Sequence, residues 1–171
     1  MAEKKYILSK EVTEKKLRRM ALQVAEQNYE EPQLVLIGIK ENGLVIAHII
    51  CAYLAEVYAG EIIVVELTLN KKNPIEIILN PAIDYNGKAV LLIDDVANSG
   101  STMLYALKPL LEAHPKKIQT LALVERTHKS FPICLDYVGL SISTTRDEHI
   151  YVEVDGEKVG GAWMEEEDDA A

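Results

Sequence analysis

A chain of 171 residues with 49% hydrophobic and 26% charged residues is long enough for one sizeable core and has the balance of a soluble globular domain. A formal net charge of -9 argues against general affinity for nucleic acid or anionic membrane, and gives no long-range pull on a phosphorylated ligand. Two well-separated cysteines in apolar contexts, Cys51 and Cys134, read as reduced buried thiols. With no signal core and no apolar run of membrane length, a cytoplasmic protein is expected.

Residues 9–29 predict an amphipathic helix, with Ser9 as N-cap and Leu17, Met20, Ala21 and Val24 at helical spacing. Its Lys15, Lys16, Arg18 and Arg19 read as a solvated face. Pro32 leads to a strand over Leu34–Ile39, and the loop Lys40-Glu41-Asn42-Gly43 to a helix that is apolar on most faces, with Gly60 as its expected C-terminal cap. Ile62–Leu69 is β-rich, and the polar stretch 70–74 turns it toward a second strand at 75–79. Asn80-Pro81 and Asn86-Gly87 are turn signals.

The run Val90-Leu91-Leu92-Ile93 marks a strand buried on both faces, with Asp94 and Asp95 at its carboxyl end. A small-residue loop, Asn98 to Thr102, follows, then a helical pattern that Pro109 is expected to kink or end near Lys108. Ile118–Val124, a segment at 136–140 and an alternating stretch at 149–154 complete the predicted strands. Strands alternating with helices predict an α/β fold with a largely parallel sheet flanked by helices. One domain is expected over residues 1–160, with an acidic tail over 161–171. Ligands of such sheets sit at the carboxyl ends of the strands, where loops 40–43 and 94–102 lie.

The acid pair admits competing readings. As the acid of a nucleotide hydrolase it needs a P-loop, but the spacing from Gly38 to Gly43 is followed by Leu44 and Val45, not lysine and a hydroxyl. No Gly-rich dinucleotide turn is present. Adjacent aspartates can also simply cap a helix, yet two carboxylates at a buried strand end are costly to desolvate without a ligand or cation. Acids that accept hydrogen bonds from sugar hydroxyls, beside a loop of free N–H groups at a helix start, suit a sugar phosphate.

At residues 90–102 the chain resembles the type I phosphoribosyltransferases, with a Rossmann-like fold. Its likeness is closest to the branch of pyrimidine-operon attenuation regulators that are also uracil phosphoribosyltransferases. The resemblance implies that Asp94 and Asp95 hold the ribose hydroxyls of phosphoribosyl pyrophosphate (PRPP). It implies that Asn98, Ser99, Gly100, Ser101 and Thr102 cradle the 5-phosphate. Ile39, Lys40, Glu41, Asn42 and Gly43 match the pyrophosphate loop, which in the family is often strained by a cis peptide not preceding proline. Asp94, Asp95 and Lys40 would then be catalytic, with Mg2+ held by Asp94 and Asp95 mainly through substrate or water. Tyr137 and Val138 fall in the implied base-binding segment, and relatives form homodimers or homotetramers.

The chain also departs from the family pattern. Asn98 stands where purine-specific relatives commonly carry Asp, and an amide cannot act as a general base. The flap after Leu69 is short. Of the branch's RNA-binding cations it keeps Arg19, His128 and Lys129, but has Leu22, Gln27, Cys134 and Leu140 elsewhere. A catalytically silent PRPP sensor and an RNA-binding regulator are therefore the rival readings, the latter disfavoured by the acidic total.

Overall fold

The computed structural model describes residues 4–166. Its larger sheet is built from β2 (Gln33–Ile39), β3 (Glu61–Leu69), β4 (Ile77–Asn80), β5 (Ala89–Ala97), β6 (Lys117–Arg126) and β7 (Tyr137–Ile142), in the order β4-β3-β2-β5-β6-β7. Every pairing is parallel except β3 with β4. Leu34 to Ile37 and Val90 to Ile93 are buried on both faces, which is why these strands read as unbroken apolar runs. Alternate residues divide the core. Leu36, Leu91 and Ile93 join a cluster with Leu17, Met20, Ile46 and Ile50, while Ile37, Val90 and Leu92 join one with Met103 and Leu110.

The first cluster packs under α1 (Lys10–Asn28) and α2 (Asn42–Val57). The Ser9 side chain accepts from the Val12 amide at 3.2 Å, the N-cap that the sequence predicts. On the other face, the helical pattern after residue 100 is split into α3 (Ser101–Ala106) and α4 (Lys108–Leu111). Pro109 lies in the first turn of α4, where its missing N–H leaves no helical bond unmade. Gly60 does not cap α2. The helix ends at Val57, and Gly60 instead makes room for the Tyr58 ring, whose hydroxyl lies 2.4 Å from where a Cβ would stand.

A second, antiparallel sheet, in the order β1-β9-β8, comprises β1 (Lys5–Leu8), β8 (Glu148–Asp155) and β9 (Lys158–Glu166). Residues 161–166, expected in an acidic tail, are therefore the body of a strand; 167–171 lie outside the described residues. Gly161, at φ 140, allows β1 to pair closely, because a Cβ there would fall 2.4 Å from the Leu8 carbonyl oxygen.

Candidate active site

Asp94 and Asp95 are not beyond the strand but within it. The ladder between β5 and β2 stops at Ile93, whereas that between β5 and β6 continues to Ala97. The acid pair thus occupies the gap left where β2 turns away, and the first turn of α2 enters that gap. A Cβ on Gly43 would meet the Ile93 carbonyl oxygen at 2.9 Å and the Asp94 Cα at 3.2 Å, so this approach requires glycine. Asp94 is 2% exposed, and its Oδ1 accepts from the Asp95 amide at 2.9 Å. Burial and the adjacent Asp95 charge push the Asp94 carboxyl well above the usual carboxylate range, partly offset by the Lys71 ammonium from the β3–β4 loop.

The 40–43 turn shares this space. Asn42 Nδ2 donates to Asp95 Oδ2 at 2.9 Å and to the Val152 carbonyl at 3.1 Å, tying the acid pair to the small sheet. The Lys40 amide donates to the Leu67 carbonyl at 2.7 Å, which leaves the Lys40 side chain exposed beside the site. The cis peptide implied for residues 38–43 is absent, the cis bond among the described residues being Asn80–Pro81. Strain sits instead on Glu41, a non-glycine residue at φ 75 and ψ -121.

At the end of β5, Gly100 adopts φ 84 and opens α3. The Ser99 Oγ accepts from the Ser101 amide at 3.2 Å, while the Ser99 carbonyl accepts from the amides of Ser130 and Phe131, each at 3.0 Å. This clips the β6–β7 connection onto the 98–102 loop and creates a cleft of about 410 Å³ between them. Asn98 and Ser99 face Arg126, His128, Lys129 and Arg146 across it. Arg126, Lys129 and Arg146 thus bring three cations of an acidic chain to one cleft, Lys129 paired there with Glu125.

Arg126 and Arg146 did not emerge as site residues from the sequence. The signal available was an arginine at the carboxyl end of a predicted strand. Arg126 donates to the Thr144 hydroxyl and the Thr145 and Glu148 carbonyls, so it holds the β7–β8 loop in place over the cleft. Lys129 lies 2.6 Å from Glu125. Burial opposes the Glu125 charge, but hydrogen bonds from Lys129 and Ser141 and the Lys129 charge outweigh it and hold the carboxyl below its usual value.

Tyr137 and Val138, the expected base-binding pair, begin β7 level with Ile93 and Asp94 through the β6 register, but two strands away from the acid pair. Tyr137 is buried and its hydroxyl donates to Gln119 Oε1 at 3.0 Å; burial pushes its pKa to about 12. The Val138 carbonyl accepts from Arg19. Tyr137→Phe is accordingly expected to leave the KM for the nucleobase unchanged and to cost about 1 kcal/mol in denaturant unfolding, the size of one lost hydrogen bond.

A largely parallel sheet thus carries an acid pair in an interior strand, flanked by two glycine-containing loops. The sequence pattern of the phosphoribosyl transferase domain matches residues 5–156, and the chain belongs to this family of PRPP-dependent pentosyltransferases. It is 35% identical over 163 residues to the bifunctional protein PyrR of Thermus aquaticus, a match that covers 88% of this chain and 90% of that protein. To the bifunctional protein PyrR of Bacillus cereus it is 33% identical over 166 residues, covering 90% and 92%. The hypoxanthine phosphoribosyltransferase of Trypanosoma cruzi has the same fold, with a TM-score of 0.78 at 17% identity over 96% of this chain and 97% of that one.

Proposed function

We propose that this protein transfers the phosphoribosyl group of PRPP to uracil, giving UMP and pyrophosphate. The observation that carries the reading is the convergence of Asp94 and Asp95, the 40–43 turn and the 98–102 loop at one end of the sheet. Asp94 and Asp95 accept from the ribose hydroxyls. Amides and hydroxyls of Ser99, Gly100, Ser101 and Thr102 donate to the 5-phosphate, and Asn98 adds an amide. Lys40, with the backbone of Ile39, Glu41, Asn42 and Gly43, takes the pyrophosphate. The reaction is displacement at the anomeric carbon, so positioning and charge stabilisation of the leaving group supply most of the rate.

Among the described residues no group of three or more His, Cys, Asp or Glu side chains is placed to hold a metal by itself. A buried Asp94 carboxyl beside Asp95 nevertheless fits Mg2+ carried in on the substrate, because the cation relieves the repulsion between the two acids. When bound, magnesium would neutralise pyrophosphate charge, and Asp94 and Asp95 would be the residues to hold it, mainly through substrate or water.

Uracil is supported by the branch that residues 90–102 resemble and by the likeness to the bifunctional PyrR proteins. Asn98 argues against a purine base, since an amide cannot take the proton that purine-specific relatives pass to an Asp at this position. Nucleic acid is not part of this reading: Arg19 and Lys129 are engaged with the Val138 carbonyl and Glu125. The reading places the protein in the cytoplasm as a homodimer or homotetramer. No helix among the described residues is long and apolar enough to cross a membrane.

A second reading, a PRPP sensor without turnover, is favoured by the compact β3–β4 loop. There the Asn70 side chain accepts from the amides of Lys72 and Asn73, leaving little chain to close over a substrate. Pyrophosphate release from PRPP, measured against uracil, hypoxanthine, guanine, adenine and orotate, separates the two. The enzyme reading expects uracil to exceed every other base by at least about tenfold in kcat/KM. PRPP binding with no release for any base would establish the sensor.

A further inference from the structure

The outer face of the small antiparallel sheet carries a feature that phosphoribosyl transfer does not use. Tyr6, Trp163 and Tyr151 lie opposite one another in register across β1, β9 and β8, forming one row. Their neighbours of the opposite parity on β8 and β9, Ile150, Val152, Ala162 and Met164, are buried against the core, as is Leu8, which a bulge after Tyr6 turns inward, whereas Tyr6 is 55% and Tyr151 40% exposed. Tyr151 and Trp163 stack with centroids 4.4 Å apart and ring planes at 21°. Because β8 and β9 are antiparallel, Glu153 and Glu165 share this face and bracket the row from opposite sides, and Glu153 accepts from the Tyr6 hydroxyl at 3.3 Å.

This face already holds a cation. The Lys4 ammonium lies 4.5 Å from the Trp163 ring centroid, within the range of a cation–π contact. Stacked aromatic faces between carboxylates suit ammonium and guanidinium groups, and guanidinium most of all because it can also stack. The same carboxylates, on a chain of net charge -9, repel a phosphate backbone, so a nucleic acid is the poorer fit to an otherwise base-like stacking platform. We infer that this face docks a basic segment of a partner protein, whose arginine or lysine side chains seat on the Tyr6–Trp163–Tyr151 row between Glu153 and Glu165. In the free protein Lys4 occupies part of that position. Complementary charge accelerates encounter, and the aromatic row makes the contact specific.

Trp163 is the single tryptophan of the chain, so its fluorescence reports directly on the face. The test titrates the full-length protein with a peptide of alternating arginine and glycine and follows Trp163 emission, with anisotropy of the labelled peptide measuring affinity in the variants. A saturable, salt-sensitive emission change is expected. Tyr6→Ala with Tyr151→Ala should weaken binding at least about tenfold, while Tyr6→Phe with Tyr151→Phe retains it; both should leave pyrophosphate release intact. Equal affinity in the alanine variant would show attraction to net charge alone and overturn the proposal. So would tighter, Tyr151-dependent binding of an oligouridylate of the same length, which would make the face a nucleic-acid platform.

Discussion

Asp94→Asn combined with Asp95→Asn is expected to abolish PRPP binding in calorimetric titration while leaving a folded protein. Asp94→Asn alone should lower kcat/KM on the order of 10²–10³-fold and yet raise the melting temperature. The second effect follows from the environment of the group. Asp94 is buried, stands beside another acid, and has its carboxyl pushed well above the ordinary range by burial and by the Asp95 charge. An amide keeps the acceptor that the Asp95 amide uses, without a charge to desolvate. The sign of the pH dependence follows from linkage. A carboxyl with a folded-state pKa raised above its unfolded value binds more protons in the folded state between the two values. Its contribution to stability is therefore greatest at low pH and is lost as pH rises from the ordinary carboxylate value of 3.8 through the raised value. Melting temperatures of wild type and Asp94→Asn should converge toward acid pH and separate toward neutrality. An Asp94→Asn protein that melts lower than wild type at neutral pH, or that binds PRPP normally, would contradict this account. Sites that store such repulsion exchange stability for function.

Gly38→Ala is expected to damage fold and site together. A Cβ at this position would lie 2.6 Å from the Leu44 Cα and 2.9 Å from the Ala47 Cβ, so the start of α2 must retreat from β2. Overpacking of this kind costs about 1–3 kcal/mol, read as a lower denaturant midpoint with an unchanged slope. The retreat also carries Asn42 away from Asp95 and Gly43 away from Asp94, so PRPP affinity should fall by at least about tenfold, the loss that one misplaced contact produces. Adding Ala47→Gly removes one of the close contacts but not that with the Leu44 backbone. Partial recovery of stability is therefore expected; complete recovery would mean that side-chain crowding, not the helix backbone, sets the spacing.

The parts of this fold that were legible in the sequence are those dominated by local pattern. Val90 to Ile93 and Leu34 to Ile37 are apolar because both of their faces are covered, and Ser9 caps α1 by a hydrogen bond within one turn. Asn98 to Thr102 was legible as a loop opening a helix because small residues, glycine and hydroxyls sit together after a buried strand. The remainder depended on contacts distant in sequence. β1 is four residues long and is held by its pairing with β9, whose glycines lower that strand's apparent preference. Continuation of β5 to Ala97 is decided by β6, which no local pattern records. Arg126 shows the same limit for the site: it lies two residues past the predicted end of its strand at Val124, and its place in β6 is decided by pairing with Ile142 of β7. Glu41 shows it for the backbone, since nothing in its side chain announces a positive φ.

The most direct test of the central claim is product identification. The full-length protein, incubated with PRPP, magnesium and uracil, should be followed by phosphorus NMR and chromatography together. The account predicts UMP and pyrophosphate appearing in equal amounts, and neither appearing with the Asp94→Asn, Asp95→Asn protein. Consumption of PRPP without UMP, or formation of a purine nucleotide in preference to UMP when both bases are present, would contradict it.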